Sequence, residues 1–244
     1  MPVPFLTSQW RHIVMLNYEI EPERLQPFLP RDLEIDRKEG KTLLSLVGLM
    51  FYDTRLYGFP VPFHRKFPEV NLRFYVRRRV KGKFRRGVVF IKEIVPKAMV
   101  SAVARRLYHE NYTTLPLTHL PRNKRRRFSP GDPVAYRWLH RGRWNELYIR
   151  IGGEAETPPE NSETAFVVNH YWGYTRCPDG TTLEYRVEHP PWRIYPVQEW
   201  RCRVEGETLY GEAFGEIFSQ PPRSVFMAEG SPVKVYRGQK IYGE

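Results

Sequence analysis

Hydrophobic positions recur along the chain in short runs broken by turn residues, and several runs alternate apolar with polar, the period of two expected of β-strands. Strand-like runs cover His12–Ile20, Thr42–Asp53, Glu69–Val80, Gly87–Val95, Val134–His140, Trp144–Ile151, Ala165–Arg176, Thr182–His189, Trp192–Val204 and Thr208–Phe218. Turn chemistry separates many of them, at Lys81-Gly82-Lys83, Arg141-Gly142-Arg143, Pro178-Asp179-Gly180 and Glu205-Gly206-Glu207. Sequential strands joined by tight turns favour antiparallel pairing in a barrel or sandwich. Two segments switch to helical spacing. Pro22–Leu29 opens on proline, sets Leu25, Phe28 and Leu29 on one side and stops at Pro30; Lys97–His109 spaces Met99, Val100, Val103 and Leu107. The basic stretch Leu117–Asp132 and the acidic, proline-rich Gly152–Asn161 read as loops. Neither separates halves of distinct composition and no internal repeat is visible. The expectation is a mostly β (α+β) single domain over residues 1–244.

Composition agrees with that pattern. With 244 residues, 41% apolar and 14% aromatic, the chain can bury a core, and its 22 prolines and 17 glycines suit many short strands joined by turns. Only Cys177 and Cys202 occur, so no disulfide framework is implied and a reducing cytoplasm is the default expectation. The opening Met-Pro-Val-Pro-Phe does not read as a signal peptide, and the longest apolar stretch, Leu43–Tyr52, is too short to span a bilayer. A soluble protein is therefore expected.

The formal charge of +12 arises from 29 arginines and 10 lysines against 27 acidic residues. Clusters at Arg77-Arg78-Arg79, Arg85-Arg86 and Asn123-Lys124-Arg125-Arg126-Arg127 can grip phosphates, which makes a basic nucleic-acid-binding protein a rival reading. No helix-turn-helix, finger or aromatic RNA-binding motif accompanies them.

Along Glu69–Val76 the alternation is strict: Glu69, Asn71, Arg73 and Tyr75 share one face, and Val70, Leu72, Phe74 and Val76 the other. On pattern alone the polar face meets water. A closed barrel would instead turn it onto a cavity, where a buried Arg73 needs a partner such as Glu69 or Glu93. The following run, Val88 to Ile94, is nearly all apolar yet carries Lys92 and Glu93 near its end. If both of its faces are covered, one of those two must point inward. Tyr108, His109, Glu110 and Tyr112 form a second dense polar group, in which His109 or Glu110 can act as acid or base. His170, Trp172 and Tyr174 alternate, as do Tyr185, Val187 and His189, so a hairpin across Pro178-Asp179-Gly180 would join them on one surface. A metal held by His170 and His189 lacks a third ligand at a telling spacing. His189-Pro190-Pro191-Trp192 reads as a rigid turn in which either proline can be cis. There is no Gly-x-Ser-x-Gly elbow, phosphate loop or dinucleotide fingerprint.

Several of these segments, in this order, resemble the YqjF-like proteins, domain of unknown function 2071. They are Trp10-Arg11-His12, Leu29-Pro30, Asn71 to Val76, Arg86 to Pro96, Tyr108 to Tyr112, His170 to Tyr174 and Tyr185 to Trp192. The likeness runs from about Trp10 to Pro232. It implies the acetoacetate decarboxylase fold, an antiparallel cone-shaped β-barrel with an internal cavity and two or three short helices, and it turns the polar face of Glu69–Val76 inward. In the decarboxylases a Schiff-base lysine lies in a Gly-Phe-Pro-Lys-Lys-like segment after a helix. Here the comparable segment reads Asn111-Tyr112-Thr113-Thr114-Leu115-Pro116, without lysine. Lys92 and Lys97 are the substitutes to consider, Lys97 because a helix N-terminus disfavours an ammonium.

The reading that results is a small-molecule-binding barrel for a compact anionic or carbonyl ligand. Glu69, Asn71, Arg73, Tyr75, Tyr108, Tyr112, His170 and Tyr185 are its candidate binding residues, and Glu93, His109 and Glu110 its candidate acid–base residues. Any reaction would be lyase- or hydrolase-like. No cofactor, metal or membrane partner is implied, and self-association is left open. The alternative is a non-catalytic sensor domain in the same fold.

Overall fold

A computed structural model describes residues 3–122 and 127–241, apart from the side chains of residues 103, 104 and 107. Residues 123–126 of the basic cluster, and the side chains of Val103 and Leu107, therefore lie outside the described residues. The strands are β1 (Leu6–Glu19), β2 (Glu34–Ile35), β3 (Arg37–Lys38), β4 (Lys41–Leu56), β5 (Phe59–Pro60), β6 (Phe67–Val80), β7 (Lys83–Val95) and β8 (Tyr112–Thr114). They continue as β9 (Leu117–Leu120), β10 (Pro133–His140), β11 (Arg143–Ile151), β12 (Trp172–Arg176), β13 (Thr182–Glu188), β14 (Ile194–Arg203), β15 (Ser224–Val235) and β16 (Gln239–Ile241). The helices are α1 (Pro22–Leu25), α2 (Ala98–Tyr108), α3 (Glu163–Val168) and α4 (Gly206–Tyr210).

Strands pair in the order β13-β12-β7-β6-β4-β1-β15, and β15 returns to β13 through Val187↔Val235 and Glu188↔Lys234. That last pairing closes a ring. All its ladders are antiparallel except β7–β12, where Trp172–Tyr174 run parallel to Gly87–Val89. From β15 the sheet continues through β14, β11, β10 and β9 as a second layer. Its apolar face, with Val134, Tyr136, Trp138, Leu147 and Ile149, joins one core cluster with Val14, Leu16, Leu46, Leu72 and Phe74 from the barrel wall. The barrel thus has an apolar outside under this layer. The polar alternate positions of β6 are left to face inward, as the family resemblance implies.

A one-residue irregularity in β7 sets the phase of the wall. The register runs Leu72↔Lys92 and then Arg73↔Phe90, leaving Ile91 as an extra residue, the geometry of a β-bulge. Val88 and Phe90 face the barrel interior before it and Glu93 after it, while Val89, Ile91 and Ile94 pack in the outer core. Lys92 is carried outward, where its Nζ donates to the Leu209 carbonyl.

Several sequence expectations need correction. Ala165–Arg176 is not one strand: Val168 ends α3, whose Ser162 N-cap accepts from the Ala165 N–H at 3.0 Å, and β12 starts only at Trp172. Thr208–Phe218 is not a strand either. It coils through α4 and two 3₁₀ turns, and Glu205-Gly206-Glu207 opens that helix instead of a hairpin. Leu209, Tyr210, Phe214, Ile217 and Phe218 are buried there in the outer core. Leu117–Asp132 is not wholly an exposed loop, since β9 pairs with β10 and both Leu117 and Phe128 are buried. The cis peptide is Leu120–Pro121, outside the His189–Trp192 turn. Finally, β15, which pairs with β1, β13 and β14, lies in a segment where no strand was expected; it carries Gly230 and Pro232, residue types that weaken a strand pattern.

Candidate functional site

Pairing across three strands gathers the acidic residues. The β6–β7 register sets Asn71 opposite Glu93, and the parallel β7–β8 register sets Glu93 beside Tyr112. Helix α2 ends at His109, whose left-handed φ of 56° turns the chain back. Asn111 then fastens the segment to β7: its Nδ2 donates to the Ile91 carbonyl at 2.9 Å and its carbonyl accepts from the Glu93 N–H at 3.0 Å. Glu110 is thereby held beside Glu93. Glu69, Glu93 and Glu110 are all buried and all line the same interior cavity.

Their hydrogen bonds come from neighbouring amide and phenol groups. Asn71 Nδ2 donates to Glu69 Oε1 at 2.9 Å, Tyr112 Oη to Glu69 Oε2 at 3.1 Å, and Tyr185 Oη to Glu110 Oε1. Glu93 Oε2 and Asn71 Oδ1 are buried without a partner. Loss of water favours the uncharged acid in each case. Burial lifts the Glu69 carboxyl to about 7 against the opposing pull of Asn71, Tyr112 and Arg73. Burial lifts Glu110 to about 8 against the hydrogen bond from Tyr185. Glu93 is held well above the usual carboxylate range by burial first, then by the charges of Glu110 and Glu69. Removing the Tyr185 hydroxyl in Tyr185→Phe is expected to raise the Glu110 titration further. Carboxyl-carbon NMR reads this directly, and an unchanged or lower midpoint would show that the hydroxyl does not hold the charged form.

Arg73 marks the opposite pole. It lines the cavity, its guanidinium lies 6.0 Å over the Tyr75 ring, and its Nε has no hydrogen-bond partner. Neither Glu69 nor Glu93 comes within ion-pair distance, contrary to the sequence expectation, because Glu69 is held instead by Asn71 and Tyr112. Tyr75 shares the inward face but is fully buried beside the cavity and not on its wall; its hydroxyl bonds Ser45 Oγ at 2.5 Å and its ring tilts on His170 at 4.7 Å. His170 lines the cavity and stays neutral, its pKa pushed down to about 3 by burial and then by the charges of Arg73 and Arg86. Asp36, which no sequence pattern singled out, sits 4.0 Å behind it and is itself buried.

Tyr108, Tyr112 and Tyr185 reach the cavity as expected. The expected common face of the β12–β13 hairpin does not form: Trp172 pairs with Arg186, Tyr174 with Glu184 and Tyr185 with Gly173, so Tyr174 packs in the outer core while Trp172, Val187 and His189 line the cavity. His109 does not: it is exposed at the helix cap and lies off the cavity wall. The remaining wall is mostly apolar, with Trp10, Ile13, Phe51, Phe67, Phe90 and Trp192 among its residues beside Thr54 and His64. Sequence reasoning did not assign these, although each falls in or beside a β-strand. The cavity measures about 190 Å³. Among the described residues, no group of three or more His, Cys, Asp or Glu side chains is arranged to hold a metal ion.

The arginine clusters at the β6–β7 hairpin are largely neutralised within the fold. Arg85 and Arg78 bond the buried Glu184 at 2.6 and 3.3 Å, Arg86 bonds the buried Asp36 at 3.1 Å, and Arg77 bonds Glu34 at 2.8 Å. Charges fixed in this way anchor strands and are poorly placed to grip a phosphate chain.

A closed antiparallel barrel around a polar-floored cavity defines an acetoacetate decarboxylase-like fold, and solved structures of that type superpose on it. The enduracididine biosynthesis enzyme MppR in complex with pyruvate matches with a TM-score of 0.64 at 14% identity, covering 98% of this chain and 91% of that one. Acetoacetate decarboxylase from Legionella pneumophila matches with a TM-score of 0.65 at 13% identity, covering 99% and 88%. At such identities the likeness is one of fold. The chain belongs to the family DUF2071, described as an uncharacterized conserved protein, whose profile matches residues 7–232. An uncharacterized protein, YqjF of Bacillus subtilis, is 30% identical over 108 residues, a match spanning 44% of this chain and 43% of the relative. No helix among the described residues is long and apolar enough to cross a membrane.

Proposed function

We propose that the barrel binds a compact anionic or carbonyl-bearing molecule through Arg73 and acts on it by proton transfer from the Glu93–Glu110 pair, without a Schiff-base lysine. The observation that carries this reading is an inward guanidinium, without an ion-pair partner among the described residues, on one wall with the buried Glu93 and Glu110 carboxyls, which burial holds above the usual carboxylate range. An acid with a pKa close to the working pH transfers protons most effectively, and carboxyls raised by burial fill that role elsewhere. No lysine lines the cavity among the described residues, and Lys92 is engaged outside the barrel, which supports a route other than imine formation. Asn71, Tyr112 and Tyr185 orient the acids, and the apolar wall excludes water. The two unpaired cysteines fit a cytoplasmic setting.

Pyruvate, found with the MppR neighbour, is a reasonable first probe within a panel of small keto acids and simple carboxylates. Thermal stabilisation by at least one member is expected. Arg73→Ala should weaken that ligand by about ten- to a hundredfold, the range for losing a charge-assisted hydrogen bond, with unchanged circular dichroism. Undiminished binding by Arg73→Ala would sink the assignment of Arg73. A borohydride-trapped adduct would sink the lysine-free route. Stabilisation without turnover of any member would favour the sensor alternative.

A further inference from the structure

We propose that the molecule the cavity accepts is a compact zwitterion, with an anionic group at Arg73 and a cationic nitrogen among Glu69, Glu93 and Glu110. This rests on the reading above and narrows its ligand class. The first support is the arrangement of unmet hydrogen-bonding groups. At the acidic pole the open positions are Glu93 Oε2, an acceptor once that carboxyl is ionised, and Asn71 Oδ1, on side chains only 2% exposed that line the cavity. Both Glu69 oxygens are engaged, by Asn71 and Tyr112, Glu110 Oε1 accepts from Tyr185, and the Glu93 and Glu110 carboxyls share a hydrogen bond. An ammonium or amidinium supplies several donors at once, which is what two adjacent unmet acceptors call for. At Arg73 the unmet group is a donor, Nε, which calls for an acceptor such as a carboxylate.

The second support is charge. The wall carries one guanidinium against three carboxyls, and a cation is the counter-charge that lets the cluster ionise in a water-poor space. The groups facing the cluster are Arg73 from β6, Tyr112 from β8, Tyr108 from α2 and Tyr185 from β13. Among these only Arg73 is cationic, and it belongs to the other pole. Aromatic side chains along the cavity, Trp10, Phe67 and Phe90 among them, add faces that suit a cation. Spacing sets the size. Asn71, which lies opposite Glu93, is two positions from Arg73 on one strand, about 7 Å between Cα atoms at the usual rise. A chain of a few carbons bridges that span.

Binding of such a ligand exchanges a proton. The nitrogen enters charged, one carboxyl of the cluster gives up its proton to solvent, and the resulting carboxylate accepts from the nitrogen. Calorimetry with 4-aminobutanoate and its isostere pentanoate tests this, at pH 7 in phosphate and in Tris, whose ionisation enthalpies differ. The expected result is at least about tenfold tighter binding of 4-aminobutanoate, in keeping with a charge-assisted contact, with release of a proton that pentanoate does not cause. Glu93→Gln, a near-isosteric change, should abolish the preference and the release, and the wild-type comparison of the two ligands stands even if that variant folds poorly. Pentanoate binding as tightly as 4-aminobutanoate would overturn the zwitterion while leaving the anion at Arg73 intact. Failure of both carboxylates to bind at millimolar concentration would overturn the two readings together.

Discussion

Gly230→Ala is expected to destabilise the protein by about 3–5 kcal/mol, a loss readable as a lower midpoint in urea or guanidinium denaturation. Gly230 lies in β15 at φ 72°, opposite Arg11 of β1, and its carbonyl accepts from Arg11 Nη1 at 2.9 Å. A Cβ there would stand 2.0 Å from the Trp10 carbonyl oxygen, and that oxygen belongs to backbone within the β1–β15 ladder. Relief therefore requires the barrel seam itself to shift. Gly82 separates the two contributions to the cost. It has φ 76° but nothing within 4 Å of its Cβ position, so Gly82→Ala should lose only the left-handed strain, about 1 kcal/mol. Equal losses at the two sites would show that the close approach at Gly230 does not matter.

Glu110→Gln should stabilise the protein, and increasingly so as the pH rises from about 4.5 to about 8. In the unfolded chain a glutamate releases its proton near the ordinary value, whereas Glu110 in the fold keeps its proton until about 8. Between those values unfolding releases a proton, so wild-type stability falls with rising pH across the window and levels off above it. Glutamine is neutral throughout and its Oε1 still accepts from Tyr185. The variant should gain about 2–4 kcal/mol over wild type at pH 8, and little at pH 4.5. Melting temperatures across that range check it. A gain independent of pH would mean that packing, not the buried carboxyl, is responsible.

Much of the barrel could be read from the chain. The strict alternation of Glu69–Val76 predicts its two faces, and the hairpins at Lys81-Gly82 and Arg141-Gly142 appear where their turn residues stand, with positive φ at both positions of each. What pattern alone misjudged was the solvent. An apolar stripe on β6 has the same spacing whether water or a second sheet lies beyond its polar neighbours, and only closure of β15 on β13 decides. That closure was hidden because Gly230 and Pro232 sit inside the closing strand. Val167 and Val168 favour a strand by propensity, yet the Ser162 cap and packing in the inner core hold them in a helix. Within the site, Glu93 and Glu110 were visible as candidates. Asp36 was not, because its place behind His170 depends on a two-residue strand with no pattern of its own.

Because side chains in a strand alternate by simple count, the extra Ile91 decides which of two adjacent residues the interior receives. Were Ile91 paired in the ladder like its neighbours, the alternation that turns Val88 and Phe90 inward would continue to Lys92 and send Glu93 outward. Deleting Ile91 would leave Glu93 inward and Lys92 outward, whereas straightening the bulge with every residue kept would exchange an acid for an amine on an otherwise unchanged wall. An acid-bearing and an amine-bearing wall of this barrel thus differ by one bulge, with no new side chain to be invented.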